Sequence, residues 1–385
     1  MENYVINLRR ELHSRPEVGF DLENTLAVIR RELEKMGVEY TEKYGKSSVV
    51  ATVGENKDAF TVAIRADIDA LPIEEKNDVP YKSQNAGKMH ACGHDAHTAI
   101  LLDTVRRVNE IKDEIPYRVK FFFQSAEEYA PGGASLMVQD GVMRGIDEVY
   151  ALHVAPNVDT GVITLGAGPQ NAASNGFYLN FYGVSAHAAR KEEGRDAIKM
   201  ALTAYFDIEK IADAYRSAGE KIVFHVGKVE GGKTNNIVAS ECSLFCTLRT
   251  LDDETAEKIK AEIEQAAKKA AEKLGGRAEL IMSKSYPVVI NDERATLNIK
   301  NAASEVIGEE NIIAAERGMD GEDFSYFTRL APGCMFHLGV RNEALFEPKP
   351  LHSDKFQLDE SALKIGSDIF LQLILNKAKE IGNNV

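Results

Sequence analysis

Between His90 and His97 the run HACGHDAH packs three imidazoles, one thiol and one carboxylate into eight residues. Thiolate and imidazole are the preferred donors for zinc-like metals, and the glycine between Cys92 and His94 allows a tight backbone path that turns both inward. Taken singly, a cysteine is more often a small buried hydrophobe and a histidine a satisfied core or surface residue. Their density here shifts the balance toward a site. Adjacent Glu127 and Glu128 follow a strongly apolar run, so in extended backbone their side chains point in different directions. One carboxylate can then bind metal while the other faces water, the division that metal-assisted hydrolysis requires. Without the other clusters, two exposed loop acids would be the plainer reading. His153, in ALHV, sits in an apolar context where an unpartnered imidazole is costly to bury; a core histidine bonded to a carbonyl fits that context too. His352, in PLHSDKF, is a weaker signal.

These residues need elements to hold them. Apolar and charged positions alternate at helical spacing over residues 1 to 36, broken near Arg15-Pro16 and ended by Gly37, which predicts two helices. Short β-branched runs at Ser47 to Val53 and Phe60 to Ala66 read as strands, the second ending in Asp67-Ile68-Asp69. A helix follows near 95 to 110, then apolar runs at Tyr117 to Phe123 and Glu148 to Leu152, the last ending at His153. Alternating strands and helices of this kind indicate an α/β domain with its sheet covered on both faces. Asp67, Asp69, Glu127, Glu128 and His153 all fall just after predicted strand ends, where such sheets gather their sites.

Between residues 172 and 285 the order changes to strand, helix, strand, strand, helix, strand, the ferredoxin-like split motif. The sequence thus predicts a larger domain in two parts, 1–171 and 286–385, with a compact α+β module, 172–285, inserted between them. A chain of 385 residues fits two domains. Cys242 and Cys246 share one strand face with Leu244, which reads as core packing, and His13 reads as structural.

A formal charge of -14 argues against a nucleic-acid or anionic-membrane surface, since both need clustered Lys and Arg. Charges every few residues at the amino terminus leave no signal-peptide or transmembrane pattern, and four irregularly spaced cysteines read as reduced thiols rather than a disulfide framework. The expectation is a cytoplasmic protein whose partners are small molecules.

The motifs RADIDALP, MHACGHDAHT, FQSAEEYAPGGA, ALHV, SAHAAR, NNIVAS, GMDGEDFSYF and LHSDKF, in that order over nearly the whole chain, resemble the metallopeptidase-like amidohydrolases. That family includes hippurate hydrolase, auxin-conjugate hydrolases and N-acetyl-diaminopimelate deacetylase, with carboxypeptidase G and aminoacylase more distant. The resemblance implies that the inserted module is a dimerisation domain and that the chain is a homodimer or higher homo-oligomer. It implies two divalent transition-metal ions per subunit, Zn, Mn, Co or Ni, held by Cys92, His94, Glu128, His153 and His352. Glu127 then matches the proton acceptor and Asp69 the acid that orients a metal-binding imidazole. His187 matches a residue that steadies the tetrahedral intermediate, and Asn236 and Arg249 match residues that hold the substrate's carboxylate. Ala186, Ser125 and His337 depart from the family pattern, which bears on the acyl group or amino acid accepted rather than on the chemistry.

The implied activity is hydrolysis of small N-acyl amino acids to a carboxylic acid and a free amino acid. A dipeptidase or carboxypeptidase using the same site is the alternative within the enzyme class. Outside it stand a nucleophilic or redox Cys92 and a non-catalytic small-molecule sensor.

Overall fold

The computed structural model describes residues 2–54, 60–129 and 131–382. Its chain divides into two compact units, one comprising the residues up to Gly168, Ile290–Glu316 and those from Asp323 on, the other Pro169–Val289 with Arg317–Glu322.

The first unit is built on an eight-stranded sheet in the order Glu39–Thr41, Val49–Val53, Arg118–Gln124, Thr61–Asp67, Glu148–Asp159, Gly333–Arg341, Ile163–Leu165, Ile312–Ala314. Its four central strands, Arg118–Gln124, Thr61–Asp67, Glu148–Asp159 and Gly333–Arg341, run parallel. Every residue of Thr61–Asp67 is buried, as expected for a parallel strand covered on both faces. The predicted amino-terminal helices are Glu2–His13 and Glu23–Met36, and Gly37 ends the second at φ 63°, the left-handed conformation glycine adopts without strain. Helices His94–Glu110 and Ala362–Gly382 pack together beside the sheet. No described helix is long and apolar enough to cross a membrane.

The strand expected to end at His153 continues to Asp159, because its backbone goes on pairing with Gly333–Arg341 beyond the His153–His337 register position. His153 is therefore held inside a central strand rather than in the loop after it.

The second unit carries the predicted element order: strand Ala173–Tyr182, helix Ala197–Ser217, strands Ile222–Gly231 and Glu241–Thr250, helix Asp253–Lys273 and strand Arg277–Tyr286. Its four strands form one antiparallel sheet in the order Arg277–Tyr286, Ala173–Tyr182, Glu241–Thr250, Ile222–Gly231. Asp196 and Asp252 cap the two helices through backbone N–H groups. Cys242 and Cys246 are buried in this unit's core, and all four cysteines are free. The unit is larger than residues 172–285. Backbone bonds from Ala172 to Asp320 (3.0 Å) and from Gly318 to Gln170 (2.7 Å) draw residues 317–322 into it, although the sequence places them in the larger domain.

A buried ion pair secures the strand that carries His153. Lys377, on the carboxyl-terminal helix, lies 2.7 Å from Glu148 Oε1, with side-chain exposures of 3% and 7%. Tyr150 donates to the other Glu148 oxygen at 2.7 Å. Lys377→Met leaves Glu148 buried and uncompensated, so unfolding in urea should show a loss of about 3–5 kcal/mol. Adding Glu148→Gln should recover much of that loss; a double variant no better than the single one would contradict the pairing.

Candidate metal centre

Cys92 and His94 flank Gly93, whose φ of 85° places it in the left-handed region just before helix His94–Glu110. A side chain there would also meet Val154 Cγ2 at 2.4 Å, so the backbone approaches the His153 strand more closely than any other residue allows. Ala126 adopts φ 51° immediately before the paired glutamates. Asp69 secures the turn: its Oδ1 accepts from the Glu127 backbone N–H at 2.9 Å and its Oδ2 from that of Glu128 at 3.3 Å.

The five residues expected to bind metal come together. Donor atoms of Cys92, His94 and Glu128 all lie within 4.8 Å of one another. His153 Nε2 stands 3.5 Å from Cys92 Sγ, and His352 Nε2 stands 3.0 Å from Glu128 Oε1. His153 is indeed bonded to a carbonyl: its Nδ1 donates to Val154 O at 2.9 Å. That bond fixes the tautomer and leaves the Nε2 lone pair for the site. His352, at φ 64°, is held by its own N–H on Ala91 O at 2.9 Å, which ties its loop to the Cys92 segment. Glu128 joins the cluster around Cys92, whereas buried Glu127 does not.

Asp67 and His97, which the sequence left without roles, complete the surroundings. Asp67, His94, His97 and His153 form a second cluster of close donor atoms. His97 is nonetheless fully engaged: Nδ1 donates to Asp67 Oδ1 at 2.6 Å, and Nε2 accepts from the Val154 N–H at 3.0 Å. Burial lowers its pKa to about 4 and keeps it neutral. With both nitrogens committed, His97 orients Asp67 and the His153 strand rather than offering a lone pair. Behind Asp67 lies Arg65, fully buried, donating to Asp67 Oδ2 and to Asp323 Oδ1 at 2.9 Å each. The signal for this was available, because residues 65 and 67 fall on one face at strand spacing.

The electrostatics call for a cation. Asp67 Oδ2 is 3.6 Å from His94 Nε2, and Asp69 Oδ1 is 3.5 Å from His94 Nδ1. Among the described residues neither ring nitrogen of His94 has a hydrogen-bond partner. Burial would discharge His94, yet Asp67, Asp69 and Glu128 outweigh it and pull the imidazole up to about 10. Burial, reinforced by Glu128, Glu127 and Asp67, pushes the Cys92 thiol well above its usual range. A pocket that protonates both groups to relieve its negative charge fits divalent cations, which replace those protons and bind thiolate and neutral imidazole directly.

His187, Asn236 and Arg249 lie in the second unit. His187 and Asn236 are exposed neighbours: the Ala188 N–H donates to Asn236 O at 3.0 Å, and His187 Nδ1 accepts from the Ala189 N–H at 3.1 Å. Half-buried Arg249 donates from Nη1 to Met319 O at 2.7 Å.

Residues 63–376 match the model of Peptidase family M20/M25/M40, and the chain belongs to that family. It is 33% identical to thermostable carboxypeptidase 2 of Saccharolobus solfataricus, over 95% of this chain and 93% of that one. It is 32% identical to the N-acetyl-L-cysteine deacetylase of Bacillus subtilis, over 94% of this chain and 85% of that one. Among solved structures it resembles the YXEP protein of Bacillus subtilis, described as a dinuclear metal-binding peptidase, with TM-score 0.83, 30% identity and 98% of each chain covered.

Gly93→Ala should separate crowding from backbone strain. Both φ and the Val154 contact oppose the added methyl, so a loss of about 2–4 kcal/mol is expected, with weaker uptake of divalent cations. Gly87, at φ 72° with no atom within 4 Å of where a Cβ would stand, is the control and should lose only about 1 kcal/mol as alanine. Equal losses in chemical denaturation would contradict the close-approach account.

Proposed function

We propose that this protein hydrolyses the amide bond of small N-acyl amino acids, releasing a carboxylic acid and a free amino acid, with two divalent transition-metal ions per subunit. The observation that carries the proposal is the convergence of Cys92, His94, Glu128, His153 and His352 beside a separate buried acid, Glu127. A thiolate with imidazoles and carboxylates suits Zn, Mn, Co or Ni better than the all-oxygen preference of magnesium or calcium. The deacetylase and carboxypeptidase relatives act on closely related bonds, since a peptide is also an N-acylated amino acid.

When bound, the ions would supply Lewis acidity to the scissile carbonyl and acidity to a water. The chain's own groups do the rest. Glu127 takes the water's proton on its carboxylate and delivers it to the leaving nitrogen, a double role favoured by its burial. Asp69 holds the backbone of both glutamates, so base and ligand keep a fixed relation. Arg249 and Asn236 bind the substrate's α-carboxylate, and His187 steadies the oxyanion as it develops. The second unit also presents Ile198, Leu202 and Phe206 at 37%, 49% and 61% exposure, four residues apart on one helix. That row supports assembly of the chain as a homodimer through this unit.

Glu127→Gln should keep its bound metal and lose a factor on the order of 100 or more in kcat, whereas Glu128→Gln should lose metal. Metal analysis and turnover on N-acetyl, N-benzoyl and dipeptide substrates check both. Near-normal turnover by Glu127→Gln removes the base assignment, and turnover of dipeptides alone replaces the acyl-amino-acid reading with the peptidase one.

A further inference from the structure

A second charged cluster lies behind the metal centre, and the reaction as described makes no use of it. His13, the last residue of helix Glu2–His13, is 1% exposed. Its Nδ1 lies 2.8 Å from Asp95 Oδ2 and its Nε2 lies 3.2 Å from Glu75 Oε1, so both ring nitrogens face carboxylate oxygens. A neutral imidazole has one N–H and can satisfy only one of them; the imidazolium satisfies both. Burial and neighbouring Arg9 oppose the charge, but Asp95 and Glu75 outweigh them and raise the His13 pKa. Arg9 shares the load, donating from Nε to the same Asp95 oxygen at 2.7 Å, and its Nη2 stands 3.2 Å from His13 Nδ1.

The two carboxylates lead to different halves of the site. Asp95 is the residue after His94 in the first turn of its helix, so fixing Asp95 fixes the peptide that aims His94. Glu75 leads to the His352 loop. It accepts from Asn77 Nδ2 at 3.0 Å, and Asn77 Nδ2 also donates to Phe356 O at 2.9 Å. The Lys76 N–H donates to Asp354 O at 2.8 Å, and Gln357 Nε2 donates to Asn77 Oδ1 at 3.1 Å. The loop so gripped holds His352 in a left-handed conformation that a non-glycine residue keeps only when its surroundings over-determine it.

We propose that His13 is a positioning residue: buried between Asp95 and Glu75, it joins the segment bearing Cys92 and His94 to the loop bearing His352. The inference rests on the two-metal reading of the site. It explains why a helix far from the reacting groups in sequence carries a histidine whose two nitrogens are both committed, and it assigns that histidine no contact with substrate or metal.

The test is cobalt binding to the metal-free full-length protein, read as affinity and as the visible and thiolate charge-transfer spectrum. Wild type should bind Co²⁺ with a thiolate band from Cys92. His13→Gln should bind at least tenfold more weakly, with an altered band, and Glu75→Gln should shift both in the same direction. The double variant should show clearly less than the sum of the two losses, because either change opens the same link. Arg31→Gln is the control, since it breaks a tie between helices Glu2–His13 and Glu23–Met36 at Glu11 without touching this network. It should lower thermal stability while leaving the cobalt affinity and spectrum unchanged. If His13→Gln fails to fold, Glu75→Gln, which keeps the shape of the side chain, carries the test alone. Unchanged cobalt affinity and spectrum in the variants, with normal wild-type binding, would overturn the positioning role and leave the metal centre standing. Failure of the wild type to bind cobalt at all would overturn both.

Discussion

The structure turns on an excess of negative charge in a buried pocket. Asp67 and Asp69 face the two nitrogens of His94 from 3.6 and 3.5 Å, and Glu128 completes the ring of carboxylates. Burying unpaired carboxylates is expensive, and proteins relieve the cost by protonation, by counter-ions or by metals. Burial opposes the Asp67 charge, but His94, His97 and Arg65 outweigh it and hold the carboxyl well below its usual range. Neither ring nitrogen of His94 has a hydrogen-bond partner among the described residues. Cations from solvent are the remaining source of positive charge.

The fold supplies that arrangement by bringing the parallel central strands of one sheet, and the turns that follow two of them, to the same place. Thr61–Asp67 delivers Asp67 and, through the following turn, Asp69; Arg118–Gln124 leads to the glutamates; Glu148–Asp159 carries His153. Loops add the remainder, and each is restrained by its backbone: Gly93 by its approach to Val154, the glutamate turn by Asp69, the His352 loop by Ala91. Donor side chains on restrained loops keep the fixed geometry that a site for metal binding requires.

The donor side chains that the structure brings together around Cys92 were legible in the sequence in part, because thiol, imidazole and carboxylate declare their chemistry by type and local density, while His352 stood out only through the family resemblance. So was the order of elements, since a covered parallel strand reads as a continuous apolar run and the stretch 172–285 as a change in that order. Less legible were properties that depend on contacts distant in sequence. His97 belongs to the same dense motif as His94, yet bonds to Asp67 and Val154 withdraw it as a ligand. His153 was expected after a strand end, but the strand runs on because its neighbour continues to pair with it. Residues 317–322 join the second unit through bonds to Gln170, Ala172 and Arg249, which no local pattern encodes.

The most direct test of the charge-compensation account is anomalous scattering from crystals of the zinc-loaded protein. It predicts two peaks in this pocket, one at about 2.3 Å from Cys92 Sγ, with His94, Glu128, His153 and His352 as the remaining protein ligands and His97 still bonded to Asp67 and Val154. A single peak, peaks outside the pocket, or a metal bound to His97 Nε2 would contradict it.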